Sequence, residues 1–310
     1  MQHISAPDGT AISKLCFGCM QFGGTADARE SEAMFEACRE EDITFFDTAH
    51  LYTDGASEEL LGQFIENDRD RLIIATKVGY TGGSGRENIL STFDISRRRL
   101  GMDSVDILYL HRWDDETPLE QTFETLAGLQ ASGKIRYIGV SNFAAWQVMK
   151  AQAVAASFET RIDILQPMYS LVKRQAEVEI LPMAISEGMS VASYSPLGGG
   201  LLTGKYLSGG TGRLSIDERY AERYAPDWMH EAARSLVHMA NEVGTEPATL
   251  AVAWAARHPG ITAPIISSRN VEQLKPSLAA GRYKLSNELY DRVARLTPTP
   301  APATDRLEEA

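Results

Sequence analysis

The stretch LIIATKVGYTGGSGRENILSTFDISRRRLGMDSVDILYLH, residues 72–111, contains the pattern that decides the fold. It begins with the short apolar run LIIA at Leu72, passes through an amphipathic segment that starts at Glu87, and ends with a second apolar run, VDILYL, at Val105. Two short β-rich runs separated by a helical pattern predict a βα unit of a parallel sheet. The polar residues Lys77 and His111 stand where these two strands end.

Six more apolar runs extend the same alternation along the chain. They are LCFG from Leu15, ITFF from Ile43, YIGV from Tyr137, IDILQ from Ile162, MSVASY from Met189 and APII from Ala263. Amphipathic stretches such as SEAMFEACREE and PLEQTFETLAGLQASGK lie between them. Eight strand–helix repeats favour a single-domain α/β protein with a closed (β/α)8 TIM barrel over an open doubly wound sheet.

Three segments stand outside the repeats. ISAPDGTAISKL, around Asp8-Gly9, predicts an N-terminal β-hairpin that closes the barrel floor. Residues 207–227 form a long excursion rich in glycine and charge, and segments of this kind are usually lids or disordered. The barrel domain is expected to span residues 1–296, followed by a Pro-rich, charged and flexible tail, residues 297–310.

Composition limits the possible partners. The chain has 30 Lys and Arg against 42 Asp and Glu, a formal charge of −12, which disfavours nucleic acid and anionic membranes. A phosphorylated small molecule stays compatible, since a local cation can hold phosphate inside a negative field. The absence of a signal-peptide pattern and of a long apolar run, together with only three cysteines, predicts a cytoplasmic protein, as a monomer or small homo-oligomer.

Polar residues accumulate at the strand ends, the positions where barrels of this type carry their catalytic groups. Asp47, Tyr52, Lys77 and His111 follow the second to fourth strands. Later strands are followed by Ser141, Asn142, Gln166 and Tyr194. Residues scattered at random would not concentrate at one end of a barrel.

The first four residues fit acid catalysis on a carbonyl. Asp47 is placed to pair with Lys77, whose ammonium should favour the phenolate of Tyr52 and lower its pKa towards working pH. Tyr52 could then protonate a carbonyl oxygen, and neutral His111 could orient that oxygen. Considered alone, Tyr52 is better interpreted as a packed aromatic residue than as a catalytic one. Considered alone, His111 is as compatible with a buried core histidine as with a catalytic one.

Several motifs, in chain order, strongly resemble the aldo-keto reductase family, especially its bacterial and potassium-channel β-subunit-like branches. They are FFDTAHLY, IIATKVG, DILYLHRWD, GKIRYIGVSNF, LQPMYS and SYSPLGGGLLTGKY. The resemblance covers about residues 15–280 and implies an oxidoreductase that reduces aldehydes or ketones reversibly with NADPH. It implies that Asp47, Tyr52, Lys77 and His111 are the catalytic tetrad, with Tyr52 as the proton donor.

The same resemblance implies a cofactor site along the barrel mouth. Ser141, Asn142 and Gln166 would hydrogen-bond the nicotinamide carboxamide, and Tyr194 would stack on its ring. Further contacts are implied for Gly18, Met20, Ser195, Leu197, Gly199, Lys205, Ser267, Ser268, Arg269 and Gln273. Arg269 matches a ligand of the 2′-phosphate, so NADPH or NADP⁺ is expected, with NADH weaker. Pro276 and Ser277 depart from the family's Glu-Asn pair, which puts part of the adenine contact in doubt.

Two segments partly match sequence motifs of other protein classes. The segment from Gly199 to Lys205 resembles a P-loop, yet Tyr206 replaces the Ser or Thr that would hold magnesium. Cys16 and Cys19 form a C-x-x-C that lies in and just after a strand, and we expect them to be structural. The histidines outside the tetrad, His3, His50, His230, His238 and His258, show no zinc spacing, so no metal is predicted.

Two alternatives stay open at this point. Lys77 in a barrel mouth could serve a Schiff-base aldolase or lyase, or the chain could be a regulatory NADPH-binding subunit with little turnover. The substrate is a small carbonyl or alcohol, for which Phe22, Trp113 and Phe143 are predicted to form an apolar pocket.

Overall fold

The computed structural model describes residues 4–309, which form a barrel of eight parallel strands alternating with helices. The strands are β1 Cys16–Gly18, β2 Phe45–Asp47, β3 Ile73–Val78, β4 Val105–Leu110, β5 Ile135–Ser141, β6 Ile164–Gln166, β7 Ser190–Val191 and β8 Ile265–Ile266. Each strand from β2 to β7 pairs with its predecessor, and β8 pairs with β1. All eight lie within the apolar runs identified from sequence or overlap them.

Backbone hydrogen bonds close the sheet between β7 and the segment leading into β8. Val191 O accepts from Thr262 N at 2.9 Å and from Ala263 N at 3.1 Å. Ile265 N donates to Ser193 O at 2.8 Å. The predicted closed (β/α)8 barrel is therefore confirmed.

Helices surround the barrel, and α1 shows how the sequence specifies them. Asp27 caps its first turn by accepting from Glu30 N at 2.9 Å, and the face carrying Met34, Phe35 and Cys38 is buried. The helices are α1 Ala28–Glu40, α2 Ala56–Ile65, α3 Arg86–Arg99, α4 Leu119–Ala131, α5 Ala145–Ala156, α6 Ile180–Ser186, α7 Arg213–Ile216, α8 Glu218–Arg223, α9 Asp227–Glu242, α10 Pro247–Arg257, α11 Val271–Ala279 and α12 Asn287–Ala294.

Strand alternation divides the core into two layers. Phe45 points into the barrel while its neighbour Phe46 packs between the barrel and the helices. Inside the barrel, a Cβ on Gly139 would lie 2.3 Å from Cδ1 of Tyr109, so glycine there makes room for the tyrosine ring. Both faces of each strand are apolar, which explains the continuous apolar runs.

The predicted N-terminal hairpin is present at the barrel floor. Ser5 and Ala11 form an antiparallel bridge, and Gly9 takes a φ of 93° in the turn between them. Ile4 and Ala6 join the inner core. The hairpin thus seals the end of the barrel opposite to the strand carboxyl ends.

The excursion of residues 207–227 contains two short helices, α7 and α8, so part of it is regular structure. No helix within residues 4–309 is long and apolar enough to cross a membrane. The flexibility of the tail stays a prediction. His3 and Ala310 lie outside the described residues.

Candidate active site

The polar residues singled out from the sequence meet at the carboxyl ends of the strands. Asp47 is the last residue of β2, Lys77 is the second-to-last residue of β3, and His111 directly follows β4. All three residues are buried. Tyr52 opens a one-turn 3₁₀ helix, Tyr52–Gly55, in the loop after β2. Positive φ angles at Thr53 and Asp54, inside that turn, bend the chain beside the barrel mouth.

The Lys77 ammonium is held by three oxygens, which matches its three N–H donors. Nζ donates to Asp47 Oδ2 at 2.5 Å, to Thr48 O at 2.8 Å and to Tyr52 Oη at 3.4 Å. Burial by itself would lower the pKa of Lys77, but Asp47 and Tyr52 outweigh it and raise that pKa above its usual value. Lys77 therefore stays a cation in the barrel mouth.

The pKa of Tyr52 shifts in the direction opposite to the one expected from sequence. Burial raises the pKa of the phenol, and Lys77, which favours the phenolate, only partly offsets that rise. The expectation that Lys77 brings this pKa down to working pH is wrong, because it left out the cost of removing water from a phenolate. Tyr52 is accordingly a protonated phenol at neutral pH.

His111 is a neutral imidazole beside that phenol. Its ring centroid lies 5.9 Å from that of Tyr52 and 5.0 Å from that of Tyr80. Burial, together with the positive charges of Lys77 and Arg112, lowers the pKa of His111 to about 3. Within the described chain, Nδ1 of His111 is buried without a hydrogen-bond partner.

A continuous chain of hydrogen bonds joins these groups to the residues predicted to contact the nicotinamide. Gln166 Nε2 donates to Asp47 Oδ1 at 2.9 Å, and Ser141 Oγ donates to Gln166 O at 3.0 Å. Asn142 Nδ2 donates to Ser141 Oγ at 3.1 Å, while Tyr194 Oη donates to Asn142 Oδ1 at 2.8 Å. Both oxygens of Asp47 are thus engaged, one by each half of the site.

The loops after β7 and β8 carry cations at the same end of the barrel. Burial lowers the pKa of Lys205, and the charges of Arg269 and Arg213 lower it further, so the three side chains share one electrostatic environment. No described carboxylate lies within 4.0 Å of any of them. Three unneutralised cations in a chain of net charge −12 are suited to bind an anion. Arg213 is not among the site residues predicted from the sequence. A single cation within the glycine-rich excursion, residues 207–227, was the only indication of such a role.

Glycines and strained residues shape the loop that precedes Lys205. Ser195 has a φ of 60° and Gly199 a φ of 65°, and half-buried Leu197 lies between them. A P-loop would follow the first strand of the fold and lead into a long helix. It follows β7 instead and forms 3₁₀ turns, Gly198–Thr203 and Lys205–Ser208, which argues against that reading.

The loop after β8 offers an unsatisfied polar atom. Ser267 Oγ is buried without a hydrogen-bond partner among residues 4–309, and it lies in the segment assigned to the cofactor. Gly18, at the end of β1, pairs with Asp47, and a Cβ on it would lie 3.8 Å from that of Ser267. A cofactor passing from the strand ends to Arg269 would meet these groups. Half-buried Met20 follows two residues after Gly18.

The start of α11 is partly occupied by its own capping bonds. Asn270 Oδ1 accepts from Gln273 N at 3.0 Å, and Ser268 Oγ donates to Asn270 O at 2.8 Å. The Gln273 side chain is exposed, whereas Ser277 is buried in the packed face of α11. Ser277, one of the two residues that depart from the family's Glu-Asn pair, is thus part of the packed core and not an open surface position.

Aromatic residues after β4 and β5 form one wall of the mouth. Trp113 contacts Phe143 edge-on at 5.2 Å and Trp146 at 5.7 Å, and Trp146 is 61% exposed. Phe22, predicted to share this pocket, is fully buried against Phe17 in the layer between barrel and helices. That part of the prediction is wrong, since the turn after β1 folds Phe22 inward.

The cysteines are the remaining motif. Cys16, Cys19 and Cys38 are free and buried, and burial raises the pKa of each thiol, so the thiolate needed for redox reactivity is disfavoured. No group of three or more potential ligands for a metal ion exists within the described residues.

Comparison with known proteins places the chain in a family. Residues 14–297 match the model of the Aldo/keto reductase family, and the chain belongs to this family. The resemblance seen in the motifs is thereby confirmed.

The relatives include oxidoreductases and a channel subunit. The uncharacterized oxidoreductase YrpG of Bacillus subtilis is 33% identical, with 96% of this chain and 95% of that protein covered. A probable voltage-gated potassium channel subunit beta of Oryza sativa is 32% identical, with 88% of each chain covered. The L-glyceraldehyde 3-phosphate reductase of Escherichia coli is 31% identical, with 88% of this chain and 85% of that protein covered.

Proposed function

We propose that this protein is an NADPH-dependent carbonyl reductase that converts aldehydes or ketones to alcohols reversibly, with Tyr52 as the proton donor. One observation carries the proposal: Lys77 Nζ bridges Asp47 and Tyr52 beside a neutral, buried His111. When bound, the reduced nicotinamide supplies the hydride that is added to the carbonyl carbon.

The chain's own residues supply the rest of the chemistry. Tyr52 donates its proton to the carbonyl oxygen as charge builds up there, and the Lys77 ammonium stabilises the phenolate that remains. Neutral His111 can donate a hydrogen bond from Nε2 to the same oxygen and orient it. Asp47 keeps the ammonium in place and compensates its charge.

The cofactor residues fit the group they are proposed to hold. Ser141, Asn142 and Gln166 provide amide and hydroxyl groups for a carboxamide, and Tyr194 provides an aromatic face. Lys205, Arg213 and Arg269 suit the phosphates, with Arg269 assigned to the 2′-phosphate that separates NADPH from NADH. Ser267 Oγ has no hydrogen-bond partner within the part of the chain that the structure describes, and it is a further hydrogen-bonding group for the cofactor.

The lyase alternative is not favoured by the geometry. Imine formation requires a neutral lysine amine, whereas Lys77 has a raised pKa and gives all three donors to oxygens. A purely regulatory subunit has no need of this proton-donor arrangement.

The free cysteines agree with a reducing compartment, so we assign the protein to the cytoplasm.

The direct test is NADPH oxidation with a panel of aldehydes and ketones, followed at the nicotinamide absorbance, for wild type and Tyr52→Phe. General acid catalysis contributes about 10²–10⁴-fold, so kcat should fall by that range while the dissociation constant of NADPH changes little. Tyr137→Phe is the matched control, since this hydroxyl accepts from Ser5 N at the barrel floor. Full activity of Tyr52→Phe would refute the assigned role.

A further inference from the structure

Arg112 lies beside the proposed substrate site and has no carboxylate partner among residues 4–309. Arg112 directly follows His111, and its side chain is exposed. The guanidinium carbon lies 5.0 Å from the ring centroid of Tyr80, and that ring lies 5.0 Å from the imidazole of His111. Tyr80 therefore connects the catalytic end of the mouth to a cation.

The charge of Arg112 is available to a ligand. No carboxylate within residues 4–309 lies within 4.0 Å of it. The two nearest acids in sequence are engaged elsewhere: Asp114 Oδ2 accepts from Ser84 N at 2.7 Å, and Asp115 Oδ1 accepts from Trp113 Nε1 at 2.5 Å. Its field reaches the reaction centre, because Arg112 is one of the charges that lower the pKa of His111, after burial and Lys77.

A second cation approaches the same tyrosine from the excursion. Arg219, in α8, interacts electrostatically with Tyr80. It is less available than Arg112, since Asp217 Oδ2 lies 2.9 Å from its Nη2. Two cations thus face Tyr80, while Trp113 and Trp146 contact each other.

We propose that Arg112 makes the enzyme selective for carbonyl compounds that carry a carboxylate or phosphate a few carbons from the reacting carbonyl. The inference rests on the proposed function, which places the carbonyl oxygen between Tyr52 and His111. From there a short substrate can run along the Tyr80 ring and end at the guanidinium, which can bind either anion through two parallel N–H donors. A protein of net charge −12 would otherwise repel such a substrate.

The test compares matched anionic and neutral substrates at saturating NADPH. One pair is 4-oxobutanoate and its methyl ester, and the other is glyceraldehyde 3-phosphate and glyceraldehyde, so that the two pairs separate carboxylate from phosphate. For at least one pair, the ratio of kcat/KM for the anionic member to that for the neutral member should exceed about ten in wild type. Tenfold is close to the lower end of the range for one hydrogen bond to a charged group.

Arg112→Gln should lower that ratio about tenfold, Arg112→Lys should retain part of it, and added salt should reduce it in wild type. Lys14→Gln is the control for the loss of one positive charge, because Lys14 is exposed at the barrel floor. Its ratio should equal that of wild type.

The possible failures are distinguishable. A wild-type ratio at or below one for both pairs, with the neutral carbonyls turned over, overturns the anion preference and leaves the reductase proposal standing; it would direct attention to apolar substrates on Trp113 and Trp146. A ratio unchanged in Arg112→Gln, or lowered equally in Lys14→Gln, also overturns the role of Arg112. No NADPH oxidation with any of a wide panel of carbonyls overturns the proposed function and this inference with it.

Discussion

The two ends of the proposed site are built in opposite ways. At the catalytic end, Asp47, Lys77 and His111 are buried and lie in strands or directly after them, and Lys77 is neutralised by Asp47. At the phosphate end, Lys205 and Arg213 are half-buried, lie on short turns and helices, and meet no described carboxylate.

This difference indicates what each end is suited to do. A buried ion pair is held in fixed geometry by its hydrogen bonds, which suits a proton transfer that tolerates little displacement. Unpaired cations on loops repel one another and are stabilised when an anion arrives, which suits reversible binding of a phosphate. The comparison predicts that substitutions at the first end change kcat and that those at the second change cofactor affinity.

The largest effect is expected at the catalytic end. Lys77→Met should lower kcat for carbonyl reduction by about 10²–10⁴-fold, because the developing phenolate of Tyr52 loses its cation. The dissociation constant of NADPH, measured by fluorescence titration, should change much less. Lys134→Met, which replaces a lysine just before β5 at the opposite end of the barrel, is the control. Normal turnover in a folded Lys77→Met protein would end the electrostatic account of Tyr52.

An intermediate effect is expected at the phosphate end. Arg269→Ala should weaken NADPH binding by roughly ten- to hundredfold, the value of a charge-assisted pair of hydrogen bonds, and leave NADH binding nearly unchanged. Lys275→Ala removes a nearby cation on α11 that is paired with Glu272 at 2.9 Å, so it should alter neither constant. Equal weakening of the two cofactors by Arg269→Ala would show that the 2′-phosphate is bound elsewhere.

The smallest effect concerns pH. The pKa of Tyr52 is raised above its ordinary value by burial, so the proton-donor form persists through neutral pH, and reduction should fall only on the alkaline side, tenfold per pH unit above that pKa. His111, with a pKa of about 3, stays neutral from pH 5 upward. Under saturating substrate and NADPH, kcat limited by chemistry should therefore vary less than about twofold between pH 6 and 9. Circular dichroism across the range confirms that the fold persists. A sigmoidal change centred near pH 6.5 would show that His111 titrates normally.

His111 also links pH to stability. Its pKa is depressed in the folded state, so the unfolded chain binds more protons between about pH 3 and its usual value of 6.5. The free energy of unfolding should fall as pH decreases through this window. His111→Asn should make that pH dependence shallower, which thermal melts at several pH values can measure.

Local patterns were sufficient to predict the barrel and the convergence of polar residues at one of its ends. The eight apolar runs are continuous because both faces of each strand are covered, and the polar residues Asp47, Lys77 and His111 stand at strand ends. In a parallel barrel all those ends lie at one mouth, so position along the chain was enough to predict their convergence. The N-terminal hairpin could also be predicted from a local pattern, because a turn dipeptide determines the structure of only a few neighbouring residues.

Other features depend on neighbours that are remote in sequence. The net direction of the Tyr52 pKa is a competition between lost hydration and the charge of Lys77, and hydration is known only once the surrounding elements are packed. Phe22 looks like a pocket residue by its place after β1, yet the fold turns it against Phe17. Arg213 joins Lys205 and Arg269 only through the tertiary path of the excursion. Periodicity is a short-range property of the chain, whereas burial and electrostatics are sums over atoms that folding brings together, and for that reason only the tertiary structure decided them.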